Sequence, residues 1–128
     1  MLIIAVLALA ACNLQQGVPT PMPTPDVPSV EFLSPVNGST VFVGTDLTIE
    51  LVARDAGAGV TRVQLLLDDL PHQEGAPVDD IAVPTFTITM NWLAAGTGFH
   101  SLTAIAYRRD GTTSPPTVIS IQVVERTP

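Results

Sequence analysis

The chain has 128 residues, 46% of them apolar and 13% charged, with a formal charge of −7 and no lysine. That balance argues against nucleic-acid binding, which needs basic patches to neutralise phosphate, and against polybasic adhesion to anionic lipid. It also argues against disorder along the whole chain, and the length suits one domain plus a linker.

The first element is an apolar run from Leu2 to Ala11 that closes in Leu9-Ala10-Ala11-Cys12. A helix crossing a bilayer needs roughly 20 apolar residues, so this run is too short to span. Its length fits the apolar region of a secretory signal, with small residues at the cut site. No Lys or Arg precedes Leu2, so the usual basic start of such a signal is missing. Cys12 is the only cysteine, which rules out a disulfide within the chain. The segment resembles the lipobox of bacterial lipoproteins. The resemblance implies that residues 1–11 are a signal peptide and that Cys12 carries lipid and begins the mature chain. It places the protein outside the cytoplasm, at the cell membrane or cell surface. Two acyl chains on the Cys12 sulfur would suffice for stable anchoring. The alternatives are a signal peptide without lipid and a buried N-terminal strand or helix.

Residues 12–29 read as a linker. Val18 to Pro28 places a proline at nearly every second position. Proline fixes φ and has no N–H to donate, so the stretch favours extended polyproline II, a spacer of about 3.1 Å per residue.

Residues 30–126 change to short runs of period two, broken by Gly, Pro and Asp. Val30 and Phe32 form a first strand ending at Ser34-Pro35; Asn37-Gly38 turns the chain, and Val41 with Val43 form a short second piece. Leu47, Ile49, Leu51 and Ala53 alternate with Thr48, Glu50, Val52 and Arg54. Val63, Leu65 and Leu67 repeat the pattern, and Phe86, Ile88, Met90 and Trp92 alternate with Thr85, Thr87, Thr89 and Asn91. Leu102, Ala104 and Ala106 follow, then the Asp110-Gly111 turn, then Ile119, Ile121 and Val123. This spacing marks half-buried strands. About seven strands with turn signals between them predict an all-β, two-sheet antiparallel sandwich.

The order of segments from Val30 to Val124 resembles bacterial immunoglobulin-like domains. The matching pieces are Phe32-Leu33-Ser34-Pro35-Val36-Asn37-Gly38, Ala53-Arg54-Asp55, Gly59 to Leu65, Trp92, Gly98 to Ala106 and Asp110-Gly111. The resemblance implies an immunoglobulin-like sandwich. Two departures stand out. Asp68-Asp69 replaces an Asp-Gly hairpin turn, so that turn is expected to be longer or differently bent. Arg108 replaces an aspartate ahead of the last hairpin, which removes a potential turn cap or metal ligand.

Candidate chemistry is sparse. Asp68, Asp69, Glu74, Asp79 and Asp80 are the one acidic stretch that offers calcium oxygens. Their spacing matches no EF-hand, and Pro71, Gly75 and Pro77 among them read as solvated loop, so no metal is expected. His72 and His100 are too few and too far apart for zinc, and His100 reads as a strand residue bonded to backbone. Ser101 beside His100 points to the opposite face, and no nucleophile elbow or phosphate loop is present. No catalytic residue and no cofactor is expected. Trp92 could be a surface aromatic for sugar stacking, but its alternation with Met90 and Ile88 reads as core. The binding candidates are the outward positions Leu66, Val52, Ile105 and Tyr107, which would form an apolar patch if adjacent.

The expected function is that of a non-catalytic, lipid-anchored immunoglobulin-like module for adhesion, envelope structure or display of a ligand or protein partner. The alternative is a carbohydrate-binding module that holds polysaccharide near the cell. Expected partners are the membrane, through the lipid, and surface proteins or polysaccharide; nucleic acid is not expected. A role as accessory subunit of a larger surface assembly also fits.

Overall fold

A computed structural model describes residues 27–126, so the stretch read as a signal peptide, Cys12 and most of the stretch read as a linker lie outside the described residues. Eight strands follow in order: β1 (Ser29–Ser34), β2 (Ser39–Phe42), β3 (Asp46–Arg54), β4 (Arg62–Leu67), β5 (Leu70–Gly75), β6 (Thr85–Leu93), β7 (Gly98–Tyr107) and β8 (Thr117–Val124). They form a three-stranded sheet, β1-β3-β6, and a five-stranded sheet, β2-β8-β7-β4-β5. Every neighbouring pair is antiparallel except β2 and β8. The chain changes sheets after β1: the Ser34–Pro35 peptide is cis, and β2 then lies parallel to β8.

The period-two pattern determines which face is buried. In the three-stranded sheet, Leu47, Ile49, Leu51 and Ala53 stand opposite Trp92, Met90, Ile88 and Phe86. In the five-stranded sheet, Leu65 is opposite Ala104, Val63 opposite Ala106, and Leu102 opposite both Leu67 and Ile119. A slip of one residue in either register would send a whole apolar set to solvent. The two faces meet in one core that includes Trp92, Met90, Leu65, Leu102 and Ile121. Ala104 and Ala106 are fully buried in the same core. Ala104→Leu should therefore overpack it and cost about 1–3 kcal/mol, read as a lower denaturant midpoint. An unchanged midpoint would contradict the register.

Three expectations need correction. Leu70–Gly75 is a strand, not part of a loop: it pairs with β4 as an edge strand. Its Pro71 and run of polar side chains hid it, because an edge strand with little buried surface shows no period-two pattern. Gly75 is where this strand approaches the core most closely, since a Cβ there would lie 1.9 Å from Ile88 Cδ1. Val52 is not outward and exposed. It is only 3% exposed, because β3 is the middle strand and Glu31 and Thr87 flank it on both sides. The Arg54–Glu31 pair, 2.8 Å apart, spans β3 and β1 on that face, with side-chain stems that shield a small aliphatic residue. The Asp68-Asp69 turn is not longer than an Asp-Gly turn. It is a two-residue turn between the paired Leu67 and Leu70, with both aspartates at positive φ, 49° and 66°, the backbone of a type I′ hairpin.

Candidate functional site

The sandwich has two loop-bearing ends, and charged side chains organise each of them. At one end the β4–β5 turn meets the start of β7. Asp68 accepts from the Ser101 N–H at 2.9 Å with Oδ1, and its Oδ2 lies 2.6 Å from His100 Nδ1. The other ring nitrogen of His100 lies 2.5 Å from the Gly96 carbonyl. The ring centroid also stands 5.2 Å from that of Trp92. Both ring nitrogens face acceptors, an arrangement that only the imidazolium satisfies fully.

The Asp68 hydrogen bond, then the Gly96 carbonyl, raise the His100 pKa above its ordinary value against the effect of burial. Burial pushes the Asp68 carboxyl up, but the hydrogen bonds from His100 and the Ser101 N–H, with the charge of His100, outweigh it and leave the pKa lowered. The raised His100 pKa means that its stabilisation is complete below about 6.5, the ordinary histidine value, and is lost as pH rises through the folded-state value. Unfolding midpoints should therefore fall modestly between mildly acidic and mildly alkaline pH. The change should stay below about 1 kcal/mol, because Asp68 is half exposed and screened by solvent. In Asp68→Asn that slope should flatten; an identical slope in both proteins would exclude the pair as its cause.

At the opposite end, the β3–β4, β5–β6 and β7–β8 loops converge. Asp55, at the end of β3, is buried with its side chain only 1% exposed, and Arg108 beside it is 11% exposed. Arg108 Nε donates to Oδ2 at 2.6 Å and its terminal nitrogen donates to Oδ1 at 2.9 Å. This fork-to-fork geometry is the strongest ion-pair arrangement available to arginine. The Gly57 N–H adds a bond to Oδ1 at 3.1 Å. The Arg108 hydrogen bonds hold the Asp55 pKa below its ordinary value; burial opposes them, and the Gly57 N–H, the Arg108 charge and the Gly59 N–H support them. Thus Arg108, expected only as the loss of a turn cap or metal ligand, ties the β7–β8 loop to the β3–β4 loop. The two residues lie 53 apart in sequence, so no local spacing announced the pair.

Around this pair lies an open groove of about 440 Å³, lined in part by Arg62, Glu74, Asp80, Arg108 and Arg109. Arg62 lies 3.3 Å from Glu74 and stacks on Tyr107, its guanidinium carbon 3.8 Å from the ring centroid. Tyr107 in turn donates its hydroxyl to Gln64 at 2.8 Å. Arg109 donates to the Asp80 carbonyl at 2.5 Å. A smaller hollow against β5 is lined by Gln64, Pro71, His72, Gln73 and Glu74. There His72 Nε2 lies 3.0 Å from the Asn91 carbonyl, and Gln73 accepts the Asn91 N–H at 3.1 Å, so β5 side chains cover part of the β6 edge.

The acidic candidates do not come together as one ligand set. Asp68 serves His100, Asp69 sits in the hairpin turn, Glu74 is on β5, and Asp79 and Asp80 lie in a 3-10 turn, Val78–Asp80. Among the described residues no three His, Cys, Asp or Glu side chains form a metal-holding group. Leu66, Ile105 and Tyr107 do share the outer face of the five-stranded sheet, yet each is half-buried, and Gln64 and Thr103 stand opposite Ile105 and Leu66. Of the exposed aromatics that sequence reasoning missed, Phe42 and Phe99, the more exposed is Phe99, 74% exposed at the start of β7. It alternates outward with the core residues, a signal that the adjacent Gly98 and His100 masked.

A family profile described as "Bacterial Ig domain" matches residues 28–104, more than half of the chain. The chain belongs to the bacterial Ig domain family. No curated protein matches it at a significant level. Among solved structures, this bacterial Ig domain is similar to the fibronectin(III)-like modules of Clostridium thermocellum CbhA. The TM-score is 0.65 with 24% identity, covering 77% of this chain and 47% of that one. It therefore spans about half the length of that relative. The CARDB domain of PF1109 from Pyrococcus furiosus, solved in complex with di-metal ions, gives a TM-score of 0.56 at 13% identity, covering 80% of this chain and 99% of that domain. The endo-beta-1,4-mannanase from Thermotoga petrophila gives 0.55 at 13%, covering 77% of this chain and 20% of the enzyme. At these identities the likeness concerns the fold: two packed sheets of an Ig or fibronectin type.

Proposed function

We propose that this bacterial Ig domain is a lipid-anchored, extracytoplasmic, non-catalytic binding module, held off the membrane by its proline-rich linker. The observation that carries the reading is the order of segments: an apolar run ending in a lone Cys12, then the proline-rich stretch, then the family domain. The family of the domain supports a binding or structural role, and the Asp55–Arg108 pair ties two of its loops together. The groove lies at the end of the sandwich where β1 begins, because Ser29 pairs with Arg54 next to Asp55. In this reading the groove looks back toward the envelope.

The carbohydrate-binding alternative loses one aromatic platform, because Trp92 is only 5% exposed. What favours it in another form is the polar groove. Fractionation of cells expressing the protein tests the anchor: the unaltered chain should partition into membranes and the detergent phase. Cys12→Ala should appear as a longer unprocessed species or a soluble one. An unchanged size and partition in Cys12→Ala contradicts the anchor.

A further inference from the structure

We propose that the groove formed by the β3–β4, β5–β6 and β7–β8 loops binds a carboxylate-bearing saccharide, an assignment that rests on the reading of this chain as a binding module. Three of the five arginines of a lysine-free chain line this one groove. Its volume of about 440 Å³ falls within the range of small-ligand sites.

The three arginines divide the work. Arg108, locked to buried Asp55, fixes two of the loops in place before any ligand arrives. Arg62 and Arg109 face the groove with most of their donors unspent. A guanidinium carries five N–H donors. Within the described residues Arg62 gives one hydrogen bond to Glu74, at 3.3 Å, and Arg109 gives one to the Asp80 carbonyl, at 2.5 Å. The Arg109–Asp80 carboxylate distance of 3.9 Å is too long for a hydrogen bond.

A ligand carboxylate fits such forks bidentately. The exposed ion pairs it would displace contribute little to stability, so they offer weak competition. Glu74 and Asp80 supply acceptors for sugar hydroxyls on the same walls. No apolar side chain larger than Ala76 lines the groove, which disfavours a peptide anchored by apolar residues. The overall charge of −7 does not prevent binding, because salt screens exposed charges beyond about 8 Å at physiological ionic strength.

The test is a calorimetric or chemical-shift titration of the full chain with trigalacturonate, its methyl ester and hexaglutamate. Trigalacturonate should bind, with shifts concentrated at Thr61, Arg62, Arg109 and Gly111. Arg62→Ala and Arg109→Ala should each weaken it by about tenfold, as expected for loss of one bidentate contact, with the melting curve preserved. Arg54→Ala, altering an arginine on the other sheet, should leave affinity unchanged. Absence of saturable binding, equal binding of the methyl ester or of hexaglutamate, or an equal loss in Arg54→Ala would each overturn the assignment. None of these outcomes bears on the Cys12 fractionation, so the anchor and the ligand class stand or fall separately.

Discussion

Arg108→Ala should lower the stability of the domain by about 3–5 kcal/mol, the cost of leaving a buried carboxylate without its partner. A domain of this size is worth only about 5–15 kcal/mol in total, so the variant should be unfolded or close to it at warm temperatures. Asp55 would keep the Gly57 and Gly59 N–H groups but lose both arginine bonds in a setting almost closed to water. Acid reveals the sign. In the unaltered protein the Asp55 pKa is lowered, so its stabilisation is present above the ordinary aspartate value and is lost as pH falls through the folded-state value. In Arg108→Ala the carboxyl loses the largest cause of that lowering, so the fall in stability with acid should be weaker than in the unaltered protein. The double variant Asp55→Leu, Arg108→Met removes both charges and should recover most of the lost stability, since well-packed apolar groups can replace a buried ion pair. Denaturant titrations across pH give all three readings. A loss below about 1 kcal/mol in Arg108→Ala would mean that the pair behaves like an exposed one.

Trp92→Ala should cost about 3–5 kcal/mol, the usual penalty for removing a large buried aromatic. Trp92 stands opposite Leu47 on β3 and near the His100 ring, inside the core. Its removal leaves a cavity that the two sheets can close only in part. The prediction bears on function as well as on stability. Any binding lost in Trp92→Ala should track the loss of folded protein, whereas Arg62→Ala and Arg109→Ala should lose binding with the fold intact. A Trp92→Ala variant that melts normally and loses only sugar binding would return the indole to the surface and contradict the register of β6.

The parts of the fold legible in the sequence were those with one wet face and one dry one. β3, β6, β7 and β8 each showed period-two alternation because their inward sets pack against the opposite sheet. β5 was not legible, since it is an edge strand held by pairing with β4 while its own residues stay mostly wet. Val52 was misjudged for the converse reason: alternation gives the face but not the cover that neighbouring strands supply. The sharp Asp68-Asp69 turn was hidden by chemistry, as aspartate tolerates positive φ well enough to stand where glycine is expected. The groove was the least legible feature. Its residues come from four separate stretches of chain, and charge counts alone cannot tell that Arg62, Arg108 and Arg109 meet. Tyr107 was found as an outward residue, but nothing in the local spacing tied it to Arg62 on the neighbouring strand.

The mass of the N-terminal peptide of the membrane-extracted protein tests the central functional claim most directly. The account predicts a peptide that begins at Cys12 and carries a diacylglycerol moiety on the sulfur. A peptide that retains residues 1–11, or one with a free Cys12 thiol, would contradict it.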